Sequence, residues 1–190
     1  MSASEKGQNI IWIDCEMTGL SLEKDALVEI GVLVTDSELN ILGDGVDVVI
    51  RASDEQLAQM SDFVRKMHTD SGLLAEIPSG KSMSEAEEIV LAYLREYCEP
   101  GKSPLAGNTI GMDRNFISRD MKKLEAFFHY RTIDVSSIKE LSKRWYPKAY
   151  ESAPAKTGNH RALADIRDSI AELVHYRETV FRNPSEPETR

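Results

Sequence analysis

The stretch "IIWIDCEMTGL", Ile10–Leu20, decides how the chain is read. Its apolar start has the length and composition of a buried strand, yet Asp14 and Glu16 interrupt it. Residues two apart on a strand leave the same face, so the two carboxylates sit side by side. Burying such a pair without a cation, a proton or a basic partner is costly. Either the strand runs out to solvent and the acids mark its rim, or the pair has a partner.

Strand patterns extend outward from this stretch. "ALVEIGVLVTD" reads as a second strand, residues 36–40 as a turn, and "NILGDGVDVVI" as a third strand. Short polar turns predict an antiparallel meander. Helices follow. "SDEQLAQMSDFVRKMHTDSGL" predicts one or two short helices ending near Gly72. "SEAEEIVLAYLREYC" predicts a longer one, with Ser84 and Glu87 as capping box and Ala86, Ile89, Val90, Tyr93, Leu94 and Tyr97 as its apolar face. "SPLAGN" and "YRTIDV" read as short strands, with one helix over "MDRNFISRDMKKLEAFFHY" between them. "VSSIKELSKRWYP" is helical as far as Pro147, "PKAYESAPAKTGN" is a loop with the makings of an ordered lid, and a long helix follows "NHRAL". Three hairpin strands followed by alternating helices and strands predict an α/β fold: a mixed sheet with helices on both faces.

At 190 residues the chain suits one domain, since single cores commonly serve about 100–200 residues. Residues 9–181 are expected to form it, between flexible ends at 1–8 and 182–190. A net charge of −9 argues against a long basic track for duplex nucleic acid but leaves room for a small phosphate substrate or a metal site. Two cysteines, Cys15 and Cys98, make neither a disulfide framework nor a zinc pattern, which fits a reducing cytoplasm. The start "MSASEKGQN" is polar, with no apolar h-region, and no apolar run approaches about 18 residues, so neither a signal peptide nor a membrane span is expected.

More acids fall at element junctions. Asp113 opens the helix after the fourth strand, where simple capping is the plainer explanation. Asp165 lies near the start of the last helix, where a solvated acid is ordinary. His160 stands five residues earlier, after Gly158 and Asn159, and by itself is a helix-entry histidine. Together they offer four carboxylates and one imidazole. Carboxylates are hard oxygen ligands suited to Mg²⁺ or Mn²⁺, two such ions can clamp a scissile phosphate, and a histidine titrating near neutrality can accept a proton from water. No glycine-rich phosphate loop or HExxH zinc pattern competes.

"WIDCEMTGL", "AGNTIGMDRNF", "FHYRTIDVSSIKELSKRW" and "NHRALADIRDSIAEL" resemble, in order, the signature blocks of the oligoribonuclease family, in the His-containing subclass of DEDD exonucleases. The resemblance runs from about Asn9 to Phe181. It implies a ribonuclease H-like fold and 3′-to-5′ hydrolysis of very short single-stranded RNA, dinucleotides above all, to nucleoside 5′-monophosphates. It assigns Asp14, Glu16, Asp113 and Asp165 to two divalent ions, Mg²⁺ or Mn²⁺, and His160 to proton transfer. It also implies that Leu20 wedges against a base and that Phe63, where many members carry tryptophan, stacks on one. His68, Thr109 (often serine), Arg131 and Ser136 match positions around the terminal phosphate. A homodimer is implied, with Tyr130 reaching the neighbouring subunit's site. Without the family, Leu20 and Phe63 read as core and Ser136 as a helix N-cap. A general RNA or DNA 3′-to-5′ exonuclease and an inactive metal-binding interaction domain are the rival readings.

Overall fold

The computed structural model describes residues 6–155 and 161–181. The meander is present as β1 (Ile10–Met17), β2 (Leu27–Thr35) and β3 (Ile41–Val49), followed by the short β4 (Leu105–Gly107) and β5 (Thr132–Asp134). The sheet order is β3-β2-β1-β4-β5. β1 pairs antiparallel with β2 and parallel with β4, so the sheet is mixed, as expected.

Alternation along β1 divides the interior. Ile11, Ile13 and Cys15 face a core built with α4 (Met83–Tyr97), α5 (Gly111–Asp120) and α6 (Lys122–Phe127). Trp12 faces a second core with α7 (Val135–Trp145) and the long α9 (Ala162–Thr179), where Val135, Ile166, Ile170 and Leu173 meet it. Its indole N–H donates to the buried Thr35 hydroxyl at 3.0 Å, the partner a buried indole needs. Asp14 and Glu16 continue the Trp12 face, so they point to the layer that contains α9. A satellite core of Val28, Ala52, Met60, Leu73 and Ile77 lies under α1 (Asp54–Ala58), α2 (Asp62–Asp70) and α3 (Leu73–Glu76).

Four expectations need correction. The α4 capping box is Ser82 with Glu85, not Ser84 with Glu87. "SMSEAE" holds two overlapping S-x-x-E registers. The earlier one leaves Glu87 buried, its Oε1 accepting the N–H groups of Lys123 and Leu124 at 2.8 and 3.1 Å. Those are first-turn amides of α6, which explains the second correction. The single helix expected over residues 112–130 is two, broken at Met121, because Glu87 supplies the acceptors that the second start requires. Third, the buried face of α4 takes Leu91 and leaves Ile89 36% exposed. Fourth, Pro147 opens α8 (Pro147–Glu151) instead of beginning a loop; proline is suited to a first helical turn. The segment expected to act as a lid continues into residues 156–160, outside the described ones, as are residues 1–5 and 182–190 of the two ends.

Cys15 and Cys98 are buried free thiols. Among the described residues no helix is long and apolar enough to cross a membrane.

Candidate active site

Asp14 and Glu16 reach the α9 side of β1, and Asp165 enters from the first turn of α9. One carboxylate oxygen from each of the three lies within 4.8 Å of the others. This is the donor set a hard divalent cation takes, three anionic oxygens from two rigid elements. Its electrostatics call for one. Burial, with Glu29, Asp165 and Asp113 nearby, pushes the Glu16 carboxyl up to about 8.

Asp113 stands behind this trio. β1 outruns β4, their last pair being Trp12 with Ala106. Farther along β1, the Cys15 N–H donates to Asp113 Oδ1 at 2.9 Å. Asp113 is buried in the first turn of α5, and burial pushes its carboxyl up to about 7. It is therefore tied to the strand between the two acids, not a solvent-facing cap. His160 lies outside the described residues; it directly precedes Arg161, the N-cap of α9.

His68 is fully buried on α2, its Nε2–H donating to the Met17 carbonyl at 2.9 Å and its Nδ1 lying 3.9 Å from Glu16 Oε2. In this conformation it backs the carboxylate instead of facing the surface. Leu20 and Phe63 are not core residues: they are 66% and 77% exposed. The Leu20 loop is nonetheless held. Asp25 accepts from the Thr18 hydroxyl and the Ser21 N–H, both at 2.9 Å, and Arg119 donates to the carbonyls of Leu22 and Asp25. The loop backbone is therefore held while the Leu20 side chain stays exposed.

The polar positions also gather. Thr109 Oγ1 and Ser136 Oγ lie 3.1 Å apart. Thr109 has φ +55°, a strained conformation for a β-branched residue. Asp134 Oδ1 holds it by accepting the N–H of both Thr109 (3.0 Å) and Ser136 (2.9 Å). Asp134, not Ser136, is the N-cap of α7. Ser136 also donates to Asn108 Oδ1, and Asn108 donates to Ser169, whose hydroxyl donates to the Asp165 carbonyl. The Thr109 and Ser136 hydroxyls are thus linked to the helix that carries Asp165.

Tyr130 is 73% exposed, whereas Phe127 and Phe128 are buried. Its carbonyl accepts from Arg114 Nη1 at 3.0 Å, with Arg114 braced by Glu125, and the exposed Arg131 guanidinium lies 5.3 Å from its ring centre.

Sequence reading missed Glu29 and Arg161. Glu29 faces Glu16 across the β1–β2 ladder and is wholly buried. Arg161 contacts its Oε1 at 2.7 Å through Nε and Nη2, and the Ala162 N–H donates to Oε2 at 3.0 Å. The signal for Glu29 was available: an acid within an apolar strand, as with Asp14 and Glu16.

A mixed sheet flanked by helices, with carboxylates gathered where β1 meets the last helix, is the architecture of a ribonuclease H-like exonuclease. The RNase_T exonuclease family model matches residues 11–173. A solved structure of Exonuclease I superposes with a TM-score of 0.72 at 13% identity, covering 90% of this chain and 41% of that one. Escherichia coli Exonuclease I in complex with a dA16 oligonucleotide gives 0.69 at 14%, with coverage of 90% and 41%. The chain spans about two fifths of those Exonuclease I chains, and the likeness establishes the fold. The oligoribonuclease of Streptomyces griseus is 64% identical over 173 residues, 90% of this chain and 86% of that one. The oligoribonuclease of Cutibacterium acnes is 56% identical over 181 residues, 95% and 90% of the two chains. The chain belongs to the oligoribonuclease family of exonucleases, and it is a nuclease.

Proposed function

We propose that the protein removes nucleotides from the 3′ end of very short single-stranded RNA, dinucleotides above all, releasing nucleoside 5′-monophosphates. The observation that carries this is the meeting of Asp14, Glu16 and Asp165 within 4.8 Å in a member of the oligoribonuclease family.

Asp14, Glu16 and Asp165 hold divalent ions, Mg²⁺ or Mn²⁺, two in number, with Asp113 completing the set. When bound, the ions supply an activated water and neutralise charge developing on the leaving 3′-oxygen. His160 would accept the proton of the attacking water. Leu20 and Phe63 cover the bases, and the Thr109 and Ser136 hydroxyls with Arg131 receive the terminal phosphate. His68 supports this group from behind Glu16. Few contacts suffice for a dinucleotide, which is consistent with a chain of net charge −9. The cytoplasm is the expected compartment.

Matched RNA and DNA of two, five and twenty nucleotides, assayed with Mn²⁺ and with excess chelator, test the proposal. The RNA dinucleotide should be cleaved fastest and chelator should stop the reaction. Equal rates at every length and with either sugar point instead to a general exonuclease. Dinucleotide retained without product after long incubation marks an inactive binding domain.

The protein is further proposed to act as a homodimer, Tyr130 of one subunit stacking in the other's site; its high exposure supports this reading. Stacking on one base is worth about 1–3 kcal/mol, so Tyr130→Ala should lower kcat/KM by about 5- to 150-fold. Sedimentation of a fully active monomer at assay concentrations excludes the shared site.

A further inference from the structure

We infer that Glu29, Arg161 and Gly31 are positioning residues for the carboxylate cluster, fixing the first turn of α9 against β2 so that Asp165 meets Asp14 and Glu16. The inference rests on the proposed role of those carboxylates in holding divalent ions.

Three observations carry it. Glu29, 0% exposed, joins β2 to α9 twice, by its ion pair with Arg161 and by accepting the Ala162 N–H at 3.0 Å. Arg161 also reaches Glu76 of α3, with Nη1 and Nη2 at 3.0 and 3.1 Å from its two oxygens. From the N-cap of α9, one guanidinium thus binds both β2 and α3, a two-partner engagement suited to its planar fork of donors. Gly31 pairs with Asp14 across the ladder, and a β-carbon there would lie 2.8 Å from the Ala162 carbonyl carbon and Cβ. The helix lies directly on the strand at that point, and it can do so because Gly31 has no side chain. Asp165 follows one turn later, its N–H donating to the Arg161 carbonyl at 3.0 Å. Displacement of Arg161 or Ala162 therefore carries Asp165 with it. None of the three residues contributes an oxygen to the trio itself. They act on it through the backbone of α9.

The test is Mn²⁺ binding to the whole protein by titration calorimetry, with the melting temperature measured for every variant. Arg161→Lys keeps the charge and loses the fork; Mn²⁺ affinity should fall about tenfold or more. Gly31→Ala should lower it similarly by lifting α9. Glu29→Gln keeps the shape and the acceptor for Ala162 but loses the ion pair; a fall of at least threefold is expected, and this variant decides the matter if the other two do not fold. Leu173→Ala, in the far half of α9, controls for general destabilisation and should leave affinity unchanged. Wild-type affinity in the folded positioning variants overturns the inference, as does an equal loss in Leu173→Ala. Asp14→Asn separates the two layers of the argument. If it binds Mn²⁺ as wild type does, the carboxylate site itself is wrong. If it loses binding while the positioning variants keep theirs, only the positioning role fails.

Discussion

Glu16→Gln is expected to stop metal-dependent hydrolysis and, at pH 8, to raise the melting temperature of the metal-free protein. Loss of one charged ligand is assigned about 4 kcal/mol of transition-state stabilisation, about 10³-fold in rate. The stability gain follows from burial. Glu16 is held up to about 8, against an ordinary 4.5, by burial first and Glu29 second. Between those values the folded chain keeps a proton that the unfolded chain has released. Stability is therefore fully present below about 4.5 and is lost as pH rises through about 8. The metal-free wild type should melt at progressively lower temperature across that window. Glu16→Gln, neutral throughout, should flatten the trend and melt higher at its alkaline end. Thermal melts from pH 5 to 9 in chelator check this, alongside Mn²⁺ assays. Parallel melting profiles for the two proteins, or undiminished turnover, contradict it.

The second large effect is expected at His160. A general base contributes about 10²–10⁴-fold, so His160→Ala should lower kcat by that factor at saturating Mn²⁺. The imidazole must be neutral to accept a proton. The wild-type rate should accordingly rise with pH as the imidazole loses its proton. The variant should lack this rise. Unchanged kcat, or a variant that keeps the wild-type pH profile, rejects the assignment.

The strands were legible in the sequence because each announces itself locally, by an apolar run and a polar turn. The face shared by Asp14 and Glu16 needed only the two-residue period. Long-range partners were harder to see. Ser82 and Ser84 are equally good caps in isolation, and the choice between them is made by Glu87, engaged with Lys123 and Leu124 of another helix. The break at Met121 has the same remote cause. Asp165 had an ordinary solvated helical acid as its plainer explanation beside Asp168; His160 and the family resemblance singled it out, and its meeting with β1 needed the topology. Arg161 was harder still, since its partner Glu29 is 132 residues away. Leu20 and Phe63 show the opposite problem: as apolar residues they read as core, and only the family resemblance marked them as surface groups.

The distance along the chain between β1 and α9 also bears on synthesis. The first two acids of the trio lie among the first residues to form a strand, whereas the third waits for the final helix. No truncated nascent chain lacking α9 contains the cluster, however well its meander has folded. A nuclease with this chain order thus brings the three carboxylates together only once translation has passed α9.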